Sequence, residues 1–250
     1  MAEPPRKWAR GSNQWVKRTG TTPPTPPAQS ARLKAQADAA ARVTDDAEAW
    51  RTEDTGITWS EFSVESIKPS TTERARARFR AHLPELIWNT AALEGNTFTL
   101  PEVRTLLEGV TVQGHKIDEQ AQILDLSNAY NHLDDLLATG TFSLSKEVSD
   151  HFNGLVAVNE AIESGHFRGE GAANGGGNVQ LSNGGYVQGD PHGEGGELLR
   201  QNFEDLTTFL DTIDDPRVRA LIYFASAARR QYYFDGNKRT ARLMMAGELM

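Results

Sequence analysis

Twelve of the chain's twenty-two glycines fall between Gly165 and Gly196, and they cut a helical pattern into two blocks. Glycine loses more backbone freedom on folding than any other residue, so this stretch is a poor continuation of the helices on either side. Before it, core-type residues recur at helical spacing in Phe79, Leu83, Leu86, Ile87, Thr90 and Leu93. Ile123, Leu126, Tyr130, Leu133 and Leu137 repeat the pattern, as do Val148, Phe152, Leu155 and Ile162. After it come Leu199, Phe203, Leu206, Leu210 and Ile213, then Val218, Leu221, Ile222 and Ala225, and last Ala241, Met245 and Leu249. Ser70 and Glu73 form a capping-box pattern, Gly95 supplies a stop, and Thr99 with Glu102 starts a short helix. Asp215 and Pro216 read as an N-cap and first-turn pair. Inside the glycine-rich stretch, NVQLSNGGYVQG has two β-prone runs around Asn183-Gly184, a strong hairpin signal. The expected fold is mainly α, a helical bundle with one small β-hairpin.

The N-terminal part has a different composition. Residues 1–30 hold six of the eleven prolines and read as a disordered, Pro-rich basic tail. Residues 31–69 read as an extension, partly helical over 31–50, and residues 70–250 as the main domain. The tail has five basic residues and one acidic, so the net charge of −8 leaves −12 on the rest. An acidic body is a poor partner for nucleic acid, which needs Lys and Arg gathered on one face. No run of eighteen apolar residues predicts a membrane span, and no apolar stretch follows the N-terminal basic residues as a secretory signal requires. Cysteine is absent, which excludes disulfides, thiolate metal sites and a cysteine nucleophile and suits a cytoplasmic setting. Export as an effector and the oligomeric state stay open. The sequence stops at Met250 inside a predicted helix, as a truncated chain would.

The densest chemistry lies in QYYFDGNKRTAR, Gln231 to Arg242. Gly236 frees the backbone for a tight turn, and Asn237 is a favourable N-cap for the last helix. Amides at a helix N-terminus point outward and favour an anion. Lys238, Arg239 and Arg242 add positive charge, with Arg239 and Arg242 spaced to share one side of the first turn. Asp235 suits one coordination place on a Mg²⁺ that also binds phosphate oxygens. These residues add up to a polyphosphate site with its metal; a turn with surface salt bridges is the simpler alternative.

The segment resembles the signature of the Fic family, His-Pro-Phe-x-(Asp/Glu)-Gly-Asn-(Gly/Lys)-Arg-x-x-Arg. Asp235, Gly236, Asn237, Lys238, Arg239 and Arg242 match it, while Gln231, Tyr232 and Tyr233 replace His, Pro and Phe. Upstream, TAALEGN resembles the family's inhibitory pattern, with Thr90 and Glu94 in its two defining places. The hairpin between GHFR and the helix beginning ELL stands where the family has its flap. The likeness spans residues 70–250, with an inhibitory helix over 70–96, the flap over 178–188 and the motif over 231–242.

The resemblance implies a Fic-type helical bundle that binds ATP and Mg²⁺ and, in active members, moves AMP to a hydroxyl side chain of a target protein. By position, Asp235 would hold the metal and Gly236 and Asn237 would surround the phosphates. Arg239 would meet the α- and β-phosphates and Arg242 the γ-phosphate. Glu94 would pair with Arg242 and so inhibit. Val179, Leu181, Tyr186 and Val187 would dock an extended segment of an unidentified target protein. Gln231 is the departure with consequences: the family's His takes the proton from the attacking hydroxyl, and an amide is not basic. Three readings follow: a nucleotide-binding protein impaired in transfer, an active transferase with a substitute base (His192 being the candidate), and an interaction module without nucleotide.

Overall fold

The computed structural model of the chain describes residues 52–59, 62–181 and 184–250. The expected tail over 1–30, the helix over 31–50 and the turn residue Asn183 lie outside the described residues. A single turn, α1 (Thr52–Thr55), precedes α2 (Thr72–Ala81), α3 (Leu83–Leu93) and α4 (Leu100–Leu107). The long α5 (Ile117–Thr139) and α6 (Lys146–Val156) follow. Strands β1 (Asn178–Gln180) and β2 (Tyr186–Gln188) come next, then α7 (Glu197–Leu210), α8 (Pro216–Arg230) and α9 (Asn237–Leu249). The described residues form a mainly helical fold with one two-stranded sheet, as the sequence pattern predicts.

Periodicity read the segment from Phe79 to Leu93 as continuous, but it is two helices. His82 leaves helical geometry at φ −110°, ψ 15°, and Pro84 sits in the first turn of α3. Proline has no N–H to give a preceding turn and its ring crowds the carbonyl four residues back, so the break follows from its placement. The cap of α2 is Thr71, whose side chain accepts from the Arg74 N–H, and not Ser70. Thr99 and Glu102 do form the expected start of α4, the Glu102 carboxylate accepting from the Thr99 N–H at 2.8 Å. Asp215 caps α8 by accepting from the Arg217 N–H.

The core is one cluster. Ile123, Leu126 and Leu133 of α5, Phe152 of α6, Leu199 and Leu206 of α7 and Met244 of α9 are all fully buried within it. Each large side chain so placed contributes about 1.5–3 kcal/mol. Ile162, read as part of the α6 pattern, is instead exposed beyond the helix, which ends at Val156. α9 lies along α8 and also packs on α6, while α3 packs on α5. The loop from Gln231 to Gly236, joining α8 to α9, is therefore seated among these helices rather than hung outside them.

In the hairpin, Asn178 faces Gln188, Val179 faces Val187 and Gln180 faces Tyr186. Its side chains are mostly solvent-facing, Tyr186 being 68% exposed.

Candidate nucleotide site

The loop between α8 and α9 is pinned by its own aromatic residues. Tyr232 stacks on Phe167 with ring centroids 4.8 Å apart. The Tyr233 hydroxyl lies 2.7 Å from the Ser149 hydroxyl and donates to the Asp150 carboxylate at 2.9 Å. Burial pushes the phenol pKa values of both tyrosines well up, so they stay neutral hydrogen-bonding groups. Where the family pattern has Pro-Phe, this chain has two rings buried under α6 and α7.

Asn237 was expected to cap α9 but is its first residue. Gly236 takes the cap position at φ 72°. The Asn237 side chain turns back into the loop instead, accepting from the Tyr233 N–H at 2.8 Å and donating to the Tyr233 carbonyl at 2.8 Å. It also donates to the Gln231 side-chain oxygen at 3.0 Å. A side-chain amide can satisfy a backbone donor and a backbone acceptor together, which suits it to closing a loop that must be buried.

Gln231 is held from both sides. Its side-chain NH₂ donates to the Ala228 carbonyl at 2.6 Å while its oxygen accepts from Asn237. Its backbone is left-handed at φ 56°, alone among the described non-glycine residues. That conformation costs on the order of 1–3 kcal/mol and persists only where surroundings over-determine it. Here they do: the Gln231 N–H donates to the Ala227 carbonyl, and Arg168 Nε donates to the Gln231 carbonyl at 2.7 Å.

These groups edge a cavity of about 390 Å³. Asp235, Gly236, Lys238 and Arg239 line one side, Glu94 from the end of α3 another, and Asn178, Val179 and Gln180 of the hairpin a third. Gln231 and Asn237 line it as well. Leu181, Tyr186 and Val187 lie on the exposed hairpin outside this lining. Arg242 is one turn further along α9, near Tyr130, and is also outside it. His192 is outside too; its ring packs at Gly169, with Nδ1 2.6 Å from the Gly193 carbonyl oxygen.

The charges inside are unevenly committed. Arg239 is buried and sends Nη1 to the Val156 carbonyl at 2.7 Å and Nη2 to Glu160 at 2.6 Å, with Asp235 at 3.3 Å. Its Nε has no hydrogen-bond partner. Asp235 accepts from the Gly236 N–H and from Arg239 through the same oxygen, Oδ1, and its side chain is half-exposed. Glu94 was expected to pair with Arg242. The carboxylate instead stands 3.7 Å from Lys238 Nζ, and Arg242 Nη1 is buried without a hydrogen bond. Lys238 lies in the first turn of α9, next to the C-terminal end of α3, where a flexible cation is favoured by the helix dipole. Arg242 is a turn away. Thr90, on α3, is buried with its hydroxyl 2.9 Å from that of Tyr130.

No family model matches the chain. Among curated proteins, the protein adenylyltransferase Fic of Drosophila ananassae is 29% identical over 194 residues, covering 75% of this chain and 36% of that protein. The Drosophila erecta protein of the same name is 28% identical over 192 residues with the same coverage. The solved structure of Fic-1 from C. elegans superimposes with a TM-score of 0.53 over 87% of this chain and 59% of its own, at 24% identity. A Fic family protein from Desulfovibrio desulfuricans G20 gives 0.55 over 74% of this chain and 50% of its own, at 20% identity.

These relatives and the shared fold support membership of the Fic domain family. It spans 36% of the length of the curated relatives it matches. Several residues that shape this Fic site carry no motif letter. Arg168, in GHFR, was read only as a boundary, yet it is buried and grips the motif loop. Asn153 is fully buried in α6; it donates to the Asp235 carbonyl at 2.9 Å and accepts from the Gly165 N–H at 3.0 Å. Glu160 holds Arg239. One signal was available: Ser149 and Asn153, four apart, interrupt the apolar face of α6 that carries Phe152 and Val156, and polar residues on a buried face need partners. Arg168 and Glu160, in irregular segments, gave no comparable signal.

Proposed function

We propose that this Fic domain binds ATP with Mg²⁺ in the 390 Å³ cavity and that Gln231 slows or abolishes transfer of AMP to a target hydroxyl. The observation that carries the reading is the shared lining: a half-exposed carboxylate, the N-terminus of α9, Lys238, the β1 strand and the Gln231 amide meet around one space.

The residues fit the group. Among the described residues no three His, Asp or Glu side chains cluster as a metal site, so a Mg²⁺ there takes Asp235, phosphate oxygens and water, its usual habit. The metal would supply charge neutralisation to the phosphates. The α9 amides and Lys238 meet the anion, and Arg242, with an unpaired Nη1, is the further cation available. Arg239 serves mainly to hold the loop, because Glu160 already neutralises it. Glu94 restrains the site through Lys238. The flap strand β1, at the cavity edge, receives an extended segment of a target protein by strand addition. Gln231 then faces the incoming hydroxyl and offers a hydrogen bond but no base.

The test compares the protein with Gln231→His, a substitution that suits the left-handed backbone because His is among the side chains enriched there. Calorimetry with Mg-ATP should show binding in both. Transfer of labelled AMP should rise about 10²–10⁴-fold in Gln231→His, the usual contribution of a general base. No heat with either protein defeats the nucleotide reading; equal transfer by both defeats the role given to position 231.

A further inference from the structure

The glycine-rich flap looks loosely attached, yet its two ends are fixed to the loop that carries Gln231. Arg168 does the fixing. The side chain is 2% exposed, and its three kinds of N–H each reach a different backbone segment. Nε donates to the Gln231 carbonyl at 2.7 Å, Nη1 to the Gly176 carbonyl at 3.1 Å, and Nη2 to the Asp190 carbonyl at 2.7 Å. Its own backbone N–H donates to the Tyr232 carbonyl at 2.9 Å. Gly176 is the approach to β1 and Asp190 the exit from β2.

The neighbourhood is built to this geometry. Gly189 donates to the Gly177 carbonyl at 2.8 Å, closing the hairpin base, and Asp190 N–H donates to the Arg230 carbonyl at 3.0 Å. A Cβ at Gly177 would stand 2.4 Å from Arg168 Cζ, and one at Gly189 would stand 2.8 Å from Gln231 Cβ. A guanidinium held by three carbonyls cannot swing away, so Gly177 is required by close approach as well as by its φ of 82°, and Gly189 by close approach alone. Burial lowers the Arg168 pKa, with the Asp190 charge partly compensating. An arginine kept in such a place against neutral acceptors is expensive unless its fork-shaped donors define something.

We propose that Arg168 is a positioning residue: it sets the separation between flap strand β1 and residue 231, and so aligns the target hydroxyl without contributing to nucleotide affinity. The proposal rests on the reading of the cavity and flap above. Arg168 touches neither nucleotide nor target, and acts only through the two flap ends and the motif loop.

Arg168→Lys and Arg168→Gln test it. Lysine keeps the charge but offers a single donor centre, so both variants should fail alike. Amide hydrogen exchange at 178–180 and 186–188 should speed at least about tenfold in each, while Mg-ATP affinity by calorimetry stays within about twofold. In the Gln231→His background, self-modification with labelled AMP should lose at least about tenfold in kcat with KM for ATP unchanged, since small misplacements of a reacting group are costly. Should an Arg168 variant not fold, Gly177→Ala keeps the arginine and displaces the flap end, and should give the same exchange increase. An Arg168→Lys variant indistinguishable from the parent overturns the proposal, because charge alone would then suffice. So does a loss of ATP affinity in step with the loss of transfer. A parent that takes up no Mg-ATP defeats the nucleotide reading instead, and the exchange arm still decides whether Arg168 sets the flap.

Discussion

The two walls of the cavity are made in opposite ways. The motif loop is irregular backbone sunk into the core, held by Tyr232 and Tyr233 below and by the Asn237 amide within. The hairpin is regular structure, yet it is small, exposed and, among the described residues, tied down at its base. Regularity and rigidity are therefore separate here. The irregular wall is fixed by buried contacts, whereas the strand wall gets its position from Arg168 and Arg230 at its ends. Under the function proposed above, the preset face is the one for the nucleotide and the other the one for the target segment.

The contrast is largest in side-chain deletions. Tyr233→Ala removes a ring that is 2% exposed and orphans part of the Ser149 and Asp150 network, so a loss of about 3–5 kcal/mol is expected. Tyr186→Ala, on the flap, should stay within about 0.5 kcal/mol. Urea midpoints read both. Equal losses would mean that the hairpin is as much part of the core as the loop is.

Next comes the amide that closes the loop. Asn237→Ala leaves the buried Tyr233 N–H without its acceptor and frees one side of Gln231. The expected cost is about 1–3 kcal/mol of stability, with weaker Mg-ATP binding because the loop no longer holds its shape. Unchanged stability alongside lost binding would make Asn237 a ligand contact rather than a clamp.

Backbone strain gives a smaller version of the same comparison. Gly236, in the motif loop, and Gly184, at the hairpin tip, both have positive φ, 72° and 85°. A Cβ at Gly236 meets Ala157 Cβ at 3.0 Å and Asn153 Nδ2 at 3.1 Å, while one at Gly184 meets nothing within 4 Å. Gly184→Ala should cost only the left-handed penalty of about 1–2 kcal/mol, and Gly236→Ala that penalty plus crowding. Thermal melts of the two variants should rank in that order.

These walls also differ in how far the sequence discloses them. The hairpin and most helices were legible because their signals are local: alternation around a turn, periodicity, caps at Thr99 and Asp215. That Asp235, Gly236, Asn237, Lys238 and Arg239 line one cavity follows from their closeness in sequence at a helix start, whereas Arg242, a turn further on, falls outside it. Apart from one local break, what escaped depends on distant chain. The break at Pro84 was local and was overridden by an apolar pattern that runs across it. Asn237 as a clamp rather than a cap follows from where Tyr233 and Gln231 come to rest. Glu94 finding Lys238 rather than Arg242 depends on how α3 ends against α9, which no spacing within either segment encodes.

The smallest expected effects separate the walls by acid. Residues 176–189 contain no Asp, Glu, His, Lys or Arg, so the hairpin itself has no charge to lose. The helices behind the motif loop do. Asp150, which accepts from Tyr233, has its pKa raised from 3.8, chiefly by burial, against the opposing pull of Lys146. Above pH 3.8 the unfolded chain has released this proton while the folded one retains it, so the Asp150 contribution falls as pH rises towards its folded value. Asp215, capping the far end of α8, has its pKa lowered to about 2 by Arg217 and by backbone N–H groups. Its contribution is complete above pH 3.8 and is lost as pH falls through about 2. Asp150→Asn should therefore flatten a decline in Tm on the neutral side of pH 3.8, and Asp215→Asn should flatten a rise in Tm on its acid side. Flap amide exchange, corrected for its intrinsic pH dependence, should keep the same protection through the Asp150 window. Flap protection that tracks Asp150 would show the acid signal crossing from the buried wall to the exposed one, and the two would then open as one unit.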